Sequence, residues 1–211
     1  MSPALNRPAD TLVVLDFETT GLSPDQGDRA IEIGAVRLLN GSVADRFQAL
    51  MNPGRRISGF IENYTGISNA MLADAPPCAE VMSEFAAFVG DDHLVAHNAS
   101  FDSRFLEAEF ARIGLPVGGT FVCSMLAARR LYPQAPNHKL GTLVAYKNLP
   151  TEGVYHRALA DAEMTAQLWL QMLADLEQEH GLSRVPFAVM QQLTRTAKSS
   201  VAALLRREAQ R

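Results

Sequence analysis

The sequence predicts an α/β fold with a central, mixed, five-stranded sheet flanked by helices. Two β-type runs flank Asn40-Gly41, a dipeptide that favours a type I′ hairpin turn because both central positions of that turn have positive φ. After this hairpin, helical and strand patterns alternate along the chain, which is typical of a sheet covered by helices. The length of 211 residues and an apolar content of 47% suit one globular domain with its own core.

Five segments are predicted to be strands. The first is a β-branched, apolar run that ends in an acidic pair, and we expect it to be central and covered on both faces. Residues 1–10 contain two prolines and no periodicity, and are predicted to be a frayed end. The five predicted strands are residues 11–18, 30–39, 42–51, 93–97 and 121–124.

Helices are predicted between and after the later strands. An apolar stripe from Val81 to Val89 is closed by Gly90, as expected for a helix that ends at a glycine. A second helix is predicted to begin at Asp102 and to run to Gly114. Further helices are expected at residues 124–131, 139–146 and, as the longest, from about 157 to 181.

The composition limits the cellular compartments and the classes of protein to which this sequence could belong. Two cysteines are too few for a disulfide framework or a structural zinc site. The apolar runs fall short of the ~18 residues of a membrane helix, and the first of them is too short for a signal peptide. We therefore expect a reduced, cytoplasmic protein without a membrane partner.

The charge is distributed unevenly along the chain. The net charge is −4, yet residues 181–211 hold six basic side chains and one acid. This segment is predicted to be either a basic arm on an acidic body or a solvated helix face. Its apolar residues form an interrupted helical pattern that would cover the core of the body or form an amphipathic helix for a partner: Phe187, Val189, Met190, Leu193, Val201, Leu204 and Leu205.

Acidic side chains follow the predicted elements in a pattern that points to a metal. Asp16 and Glu18 lie two apart at the end of a strand, so they share a face at roughly 6–7 Å. Asp102 follows another strand, and Asp161 follows His156 by five residues near the start of the longest helix. Taken singly, each has an ordinary explanation: an acidic strand end, a helix N-cap, an acid suited to the helix dipole and a helix-entry histidine.

The combination of these acids is more informative than any one of them. In an α/β sheet, the carboxyl ends of strands and the N-termini of helices meet at one edge. Four carboxylates gathered there would repel one another strongly unless cations were present, and carboxylate oxygens suit Mg²⁺ or Mn²⁺ better than zinc. A histidine beside them is better explained as a proton acceptor. The residues thus predict two-metal hydrolysis of a phosphodiester.

These acids and histidines lie in three motifs: Asp16-Phe17-Glu18-Thr19-Thr20-Gly21, His97-Asn98-Ala99-Ser100-Phe101-Asp102 and His156-Arg157-Ala158-Leu159-Ala160-Asp161. The motifs resemble those of the DEDDh 3′→5′ exonucleases, the DnaQ-like family that includes the epsilon subunit of DNA polymerase III, ribonuclease T and oligoribonuclease. The resemblance covers about residues 10–177 and implies a ribonuclease H-like exonuclease fold. We expect an exonuclease domain at residues 1–180 and, from the charge distribution, a basic, helical extension at residues 181–211.

The resemblance implies a role for each motif residue. His156 would be the general base that takes a proton from the attacking water, and the product would be a nucleoside 5′-monophosphate released from a 3′ end. The two Mg²⁺ (or Mn²⁺) ions would be bound, directly or through water, by Asp16, Glu18, Asp102 and Asp161.

The resemblance also implies substrate contacts. Backbone groups of Thr19, Thr20 and Gly21 would face the terminal nucleotide, and Leu22 or Phe101 would pack against a base with little sequence preference. Asn98 would either hydrogen-bond near the site or shape the turn. For Phe17 and Phe105, we expect plain core packing.

The biological substrate is open at this level. Single-stranded or frayed DNA 3′ ends are favoured, in proofreading or repair, with RNA 3′-end trimming as the alternative. A third hypothesis is that the protein is a module that docks on a DNA polymerase subunit and has secondary nuclease activity. Residues 181–211 show no long flexible linker, which favours a free-standing enzyme. Truncation after residue 180 would test the role of this segment.

Overall fold

The computed structural model describes residues 7–150 and 157–210 and has a mixed five-stranded sheet in the order β3-β2-β1-β4-β5. Strand β1 pairs antiparallel with β2 and parallel with β4, β2 pairs antiparallel with β3, and β4 pairs parallel with β5. The predicted α/β architecture is confirmed. The strands are β1 (Leu12–Thr19), β2 (Ala30–Leu39), β3 (Ser42–Leu50), β4 (Leu94–Ala96) and β5 (Phe121–Cys123).

The β2–β3 hairpin and the burial of β1 also agree with the sequence. Asn40 and Gly41 have φ values of 50° and 75°, the positive values that a type I′ turn requires at both positions. Strand β1 is buried along almost its whole length, as expected for a central strand that is covered on both faces.

The helices surround this sheet, and two of them were not expected. Residues 52–76 carry no helical prediction, yet they contain α1 (Gly59–Thr65) and α2 (Asn69–Ala73), each capped by a serine side chain, Ser58 or Ser68. None of the described helices is both long enough and apolar enough to cross a membrane. The others are α3 (Cys78–Val89), α4 (Ser100–Arg112), α5 (Ser124–Leu131), α6 (Leu140–Tyr146), α7 (Ala158–His180), α8 (Phe187–Arg195) and α9 (Val201–Glu208).

Alternate side chains of β1 pack into two separate hydrophobic cores, one on each face of the sheet. Leu12 and Val14 pack on the face covered by α5, α7, α8 and α9, whereas Val13 and Leu15 pack on the face covered by α3 and α4. Phe17 and Phe105 are buried in the second core, as predicted. Because the side chains of a strand alternate, Asp16 and Glu18 continue the face of Leu12 and Val14 towards α7.

The C-terminal segment covers the core of the body. All seven apolar residues of its predicted pattern, from Phe187 to Leu205, are buried in the same cluster as β1 and α7. Arg130 of α5 also donates to the carbonyls of Thr194 and Thr196 at the end of α8. Of the two interpretations of the apolar pattern, the structure therefore supports packing on the body. The division of the chain at residue 180 stays a prediction.

The predicted frayed end is wrong for residues 7–10. The Ala9 N–H donates to the Val185 carbonyl and the Phe187 N–H donates to the Arg7 carbonyl, at 2.8 Å and 2.9 Å. The Trp169 indole N–H donates to the carbonyl of Ala9, whose side chain is fully buried. These backbone partners lie far away in the sequence, so local periodicity gave no sign of them.

Candidate metal centre and nucleic-acid cleft

An open cleft of about 750 Å³ lies at the carboxyl end of β1. One wall is the loop that follows β1, another is α1, and a third is formed by the β4–α4 connection and the start of α6. The lining residues include Asp16, Phe17, Glu18, Thr19, Thr20, Gly21, Leu22, Ser58, Phe60, Ile61, Tyr64, Thr65, His97, Asn98, Phe101, Asp102, Leu140 and Asp161.

Three of the four predicted acids meet at the floor of this cleft. Asp16 and Glu18 come from β1, and Asp161 comes from the first turn of α7, which packs across β1 and β2. Each acid offers one carboxylate oxygen, and the three oxygens lie within 4.8 Å of one another. The strand-end and helix-start convergence expected from the sequence thus brings these three side chains together.

Asp102 also lines this cleft, but its position in helix α4 differs from the predicted one. Helix α4 begins at Ser100 with Ala99 at its N-cap, so the alternative explanation of Asp102 as a helix cap is wrong. The third residue of the helix, Asp102 is buried and accepts a hydrogen bond at 3.2 Å from the backbone N–H of Phe17, between Asp16 and Glu18. This bond ties α4 to the acid-bearing end of β1.

The acids are close enough to raise one another's pKa values. Burial is the largest cause for Asp16, followed by the charges of Asp102 and Asp161, and together they raise the pKa of Asp16 well above its usual value. Burial and the charge of Asp161 raise the pKa of Glu18 to about 8. Burial raises the pKa of Asp102 to about 7. The raised pKa values mean that the charged forms of these carboxylates are disfavoured. A divalent cation suits such a group of oxygen donors, because its positive charge would offset the repulsion between them.

Of the two histidines in the motifs, the structure describes only His97. His156, the predicted general base, lies outside the described residues. His97 lies beside the floor of the cleft, with Nδ1 at 2.9 Å from Ser124 Oγ and Nε2 at 2.9 Å from the His138 carbonyl. Burial lowers the pKa of His97 to about 4, so the ring stays neutral. We conclude that His97 holds the wall of the cleft that carries Leu140.

The six predicted substrate residues, Thr19, Thr20, Gly21, Leu22, Asn98 and Phe101, all line the cleft. Two of their side chains are turned into the loop: Thr19 Oγ1 donates to the Gly21 carbonyl, and Thr20 Oγ1 donates to Asp28 Oδ1. Leu22, in contrast, is 77% exposed at the rim. Asn98 has a φ of 69°, so its backbone conformation shapes the turn before α4. Their contacts with a substrate stay predictions.

Two aromatic residues at the rim were not among the substrate residues predicted from the sequence. Phe60 and Tyr64 of α1 are 72% and 51% exposed, and their rings are stacked with centroids 5.9 Å apart and planes 12° apart. Burial and the charges of Glu18 and Asp161 raise the pKa of the Tyr64 phenol, so this ring borders the acidic floor. The available signal was an i, i+4 aromatic pair between Ser58 and Gly66.

Comparison with known proteins identifies the family. A family model described as an exonuclease, RNase_T, matches residues 13–169. The chain belongs to this exonuclease family. The predicted DEDDh, DnaQ-like assignment and the ribonuclease H-like fold are therefore confirmed.

The curated relatives of this exonuclease chain are much longer proteins. It is 41% identical over 173 residues to the PolC-type DNA polymerase III of Caldanaerobacter subterraneus subsp. tengcongensis, and 42% identical over 169 residues to that of Bacillus subtilis. These matches cover 82% and 79% of this chain. The chain spans only 12% of the length of either polymerase.

Solved structures with the same exonuclease fold are closer in size. Exonuclease X in complex with 5′ overhanging duplex DNA is 30% identical, with a TM-score of 0.67, and the match covers 87% of this chain and 99% of that one. The nuclease domain of 3′hExo, a DEDDh family member bound to rAMP, has a TM-score of 0.67 over 79% of this chain and 92% of that domain. At 22% identity it supports the fold alone.

Proposed function

We propose that this protein is a metal-dependent 3′→5′ exonuclease that releases nucleoside 5′-monophosphates from single-stranded or frayed DNA 3′ ends, in proofreading or repair. The observation that carries the proposal is the group of three carboxylate oxygens, from Asp16, Glu18 and Asp161, within 4.8 Å at the floor of an open cleft. The family of the chain supports nuclease activity. The direction of cleavage and the use of two metals are our inference.

The metal ligands in this proposal are Asp16, Glu18, Asp102 and Asp161, with Mg²⁺ or Mn²⁺ as the ion. Two such ions, when bound, supply charge that stabilises both the attacking and the leaving oxygen of a phosphodiester. The chain's own contribution is to hold these acids on a strand and two helices that are locked by core packing. The Phe17 N–H donates to Oδ1 of Asp102 and so fixes this carboxylate beside the other acids.

In this proposal His156 holds the proton that the attacking water loses. Its ordinary pKa near 6.5 suits a general base at neutral pH. The supporting observation is its place in the chain, five residues before Asp161 and directly before Arg157. The Arg157 side chain pairs with Glu32, which lies opposite Glu18 in the β1–β2 ladder.

The rim is the proposed contact surface for the last nucleotides. Leu22, Phe60 and Tyr64 present exposed apolar and aromatic surface around an acidic floor, and Phe101 also lines the cleft. Aromatic rings stack on any base, so this surface would hold a single strand with little sequence preference. A frayed strand fits such a rim better than a paired one, because its bases are free to stack.

DNA is preferred over RNA in this proposal because of the relatives. The curated relatives are DNA polymerases, and exonuclease X was solved with duplex DNA. The same relatives support a cytoplasmic protein that works with a DNA polymerase subunit, either as a separate enzyme or as a docked module with secondary activity. RNA 3′-end trimming is the alternative, and the experiment below separates it from DNA cleavage.

The test uses DNA and RNA oligonucleotides of the same sequence, labelled at either end, in Mg²⁺, Mn²⁺ or EDTA. We expect mononucleotides to be released from the 3′ end of DNA, faster than from RNA, and no cleavage in EDTA. A frayed duplex should be degraded faster than a fully paired one. Cleavage that starts at the 5′ end, or that continues in EDTA, would contradict the proposal.

A further inference from the structure

A fifth acid, Glu32, lies next to the metal-ligating acids without facing the cleft. It stands directly opposite Glu18 in the β1–β2 ladder, on the face that α7 covers. Its side chain is fully buried. A buried carboxylate is costly unless its charge is paired and its oxygens are hydrogen-bonded, so its partners indicate its role.

The partners of Glu32 come chiefly from the start of α7. Arg157 Nη2 donates to Oε1 at 2.7 Å, and Arg157 Nε lies 3.2 Å and 3.1 Å from Oε1 and Oε2. The backbone N–H of Ala158, the first residue of α7, donates to Oε2 at 3.1 Å. Gln48 Nε2 on β3 donates to Oε1 at 3.0 Å. Both oxygens of Glu32 are therefore engaged.

Helix α7 has a structural need for this acid. Its N-cap residue is Arg157, whose side chain makes no cap hydrogen bond to the helix. Glu32 supplies a cap from another element, and its negative charge suits the positive end of the helix dipole. Four residues on, the Asp161 N–H donates to the Arg157 carbonyl, so Arg157 and Asp161 belong to the same first turn.

Gly34 allows this turn to approach the sheet closely. It lies opposite Asp16 in the ladder, and a Cβ placed on it would overlap with the backbone of Ala158 and Leu159. The helix start thus rests directly on β2, between the level of Asp16 and that of Glu18. Small displacements of this turn would change the distances from Asp161 to the other two acids.

We propose that Glu32 is a positioning residue of the metal centre: it caps α7 from β2, pairs with Arg157, and so sets the distance from Asp161 to Asp16 and Glu18. This inference rests on the proposed function, since it assigns Glu32 to the metal site of that reaction. Partners that orient metal ligands typically change metal affinity or activity by about 10- to 100-fold when they are removed. Glu32 acts through α7 and not as a ligand, because its oxygens are occupied by Arg157, Ala158 and Gln48.

The chain contains a matched control in Glu109 of α4. This acid is also buried, accepts two hydrogen bonds from one arginine, Arg29, and accepts another from the backbone N–H of the next residue, Ala30. Its chemistry is that of Glu32, but it joins α4 to the start of β2 on the other face of the sheet. A substitution there should cost stability without moving Asp161.

The experiment compares Glu32→Gln, Arg157→Lys and Glu109→Gln in the full chain. Mn²⁺ affinity is measured by calorimetric titration, melting temperature by circular dichroism, and kcat and KM on a single-stranded DNA oligonucleotide. We expect Glu32→Gln to weaken Mn²⁺ binding at least ~10-fold and to lower kcat at limiting Mn²⁺, with much of the loss recovered at saturating Mn²⁺ and KM for DNA little changed. Arg157→Lys, which keeps the charge but not the double contact, should fall between Glu32→Gln and the wild type.

The outcomes separate this inference from the proposed function. Glu109→Gln should lower the melting temperature to a similar degree and leave the Mn²⁺ affinity within about twofold of the wild type. A wild-type protein that binds Mn²⁺ and digests DNA, together with a Glu32→Gln variant of equal Mn²⁺ affinity, would overturn the role of Glu32 alone. Equal losses of Mn²⁺ affinity in both glutamine variants would do the same. A wild-type protein without Mn²⁺ binding and nuclease activity would overturn both. If Glu32→Gln does not fold, Arg157→Lys provides the comparison.

Discussion

The floor and the rim of the cleft are built from opposite kinds of residue. The floor holds Asp16 and Glu18, which are partly or fully buried and whose pKa values are raised by burial and by neighbouring acids. The rim holds Leu22 and Phe60, apolar side chains that are more than 70% exposed. At the floor, the negative charges of the acids repel one another while core packing holds their backbone in place. At the rim, apolar side chains are exposed to water.

This contrast separates the chemistry of the protein from its choice of substrate. Excess negative charge at the floor favours a cation and repels a bare phosphate, so the floor alone would be a poor binding site for a polyanion. The rim supplies attraction that does not depend on charge, because bases stack on exposed rings. Variants of the two regions should therefore affect kcat and KM differently.

The largest effect is expected at the floor. Replacing Asp16 by alanine removes one of the proposed metal ligands, and we expect hydrolysis of a 3′-labelled DNA oligonucleotide to fall below detection. Circular dichroism should show that the variant is folded, since a buried acid with a raised pKa contributes repulsion. Near-normal digestion by folded Asp16→Ala in Mg²⁺ would rule out the proposed centre.

The second effect concerns the proposed base. We expect His156→Ala to lower kcat at least ~10²-fold, because proton transfer by a positioned group typically contributes that much. Mn²⁺ affinity should be unchanged, since the histidine is not a proposed ligand. His180→Ala, at the exposed end of α7, is the control and should retain the wild-type rate. A small effect of His156→Ala would leave the floor as a metal site but remove the assigned base.

The third effect is a pH dependence that belongs to the floor alone. Protons compete with the metal for Glu18, whose pKa is about 8, so Mn²⁺ affinity should rise up to about tenfold per pH unit between pH 6 and pH 8. Calorimetric titration at several pH values measures this slope. A pH-independent affinity would show that the acids are already ionised at pH 6.

The same raised pKa values predict how stability depends on pH without metal. The folded state binds protons at Glu18 more tightly than the unfolded state does, so this stabilisation is full below pH 4.5 and is lost as the pH rises through about 8. The metal-free protein should thus melt at a lower temperature at pH 9 than at pH 6. Adding Mn²⁺ should reduce or reverse that difference.

The smallest effect is expected at the rim. Phe60→Ala removes one stacking surface, worth about 1 to 3 kcal/mol per base, so KM for single-stranded DNA should rise at least about fivefold with kcat within about twofold. Leu39→Ala, at an apolar site outside the cleft that is 51% exposed, is the control and should leave KM unchanged. A fall in kcat with KM unchanged would mean that the rim belongs to the chemistry and that the two regions are not separable.

The floor was largely predictable from the sequence, for a physical reason. A carboxylate that directly follows a buried strand is costly unless it has a purpose, and strand ends and helix starts meet at one edge of an α/β sheet. Asp16 and Glu18 at the end of β1 followed the first rule, and Asp161 at the start of α7 followed the second. Asp102 was placed in the correct region but at the wrong helical position, because helix α4 begins two residues earlier than its aspartate suggests.

The rim and the support of the floor were not predictable in the same way. Helix α1 is seven residues long and exposes its aromatic residues, so it has no apolar stripe from which a helix could be recognised. Glu32 stands alone in an apolar strand, and its partner Arg157 is 125 residues away. Short capped helices and long-range ion pairs depend on tertiary packing, which a local pattern does not contain.

The pairing of Ala9 with Val185 also bears on the order in which the molecule folds. These two residues are almost the whole chain apart, and their bond closes a loop that contains every strand and α7. Closing so long a loop before the intervening chain is ordered would cost entropy without compensation, so we expect this pairing to form after the sheet and α7 have packed. A polypeptide that stops before Val185 would complete its sheet but leave the Ala9 N–H without this partner, and its core side beneath α8 would remain open to water.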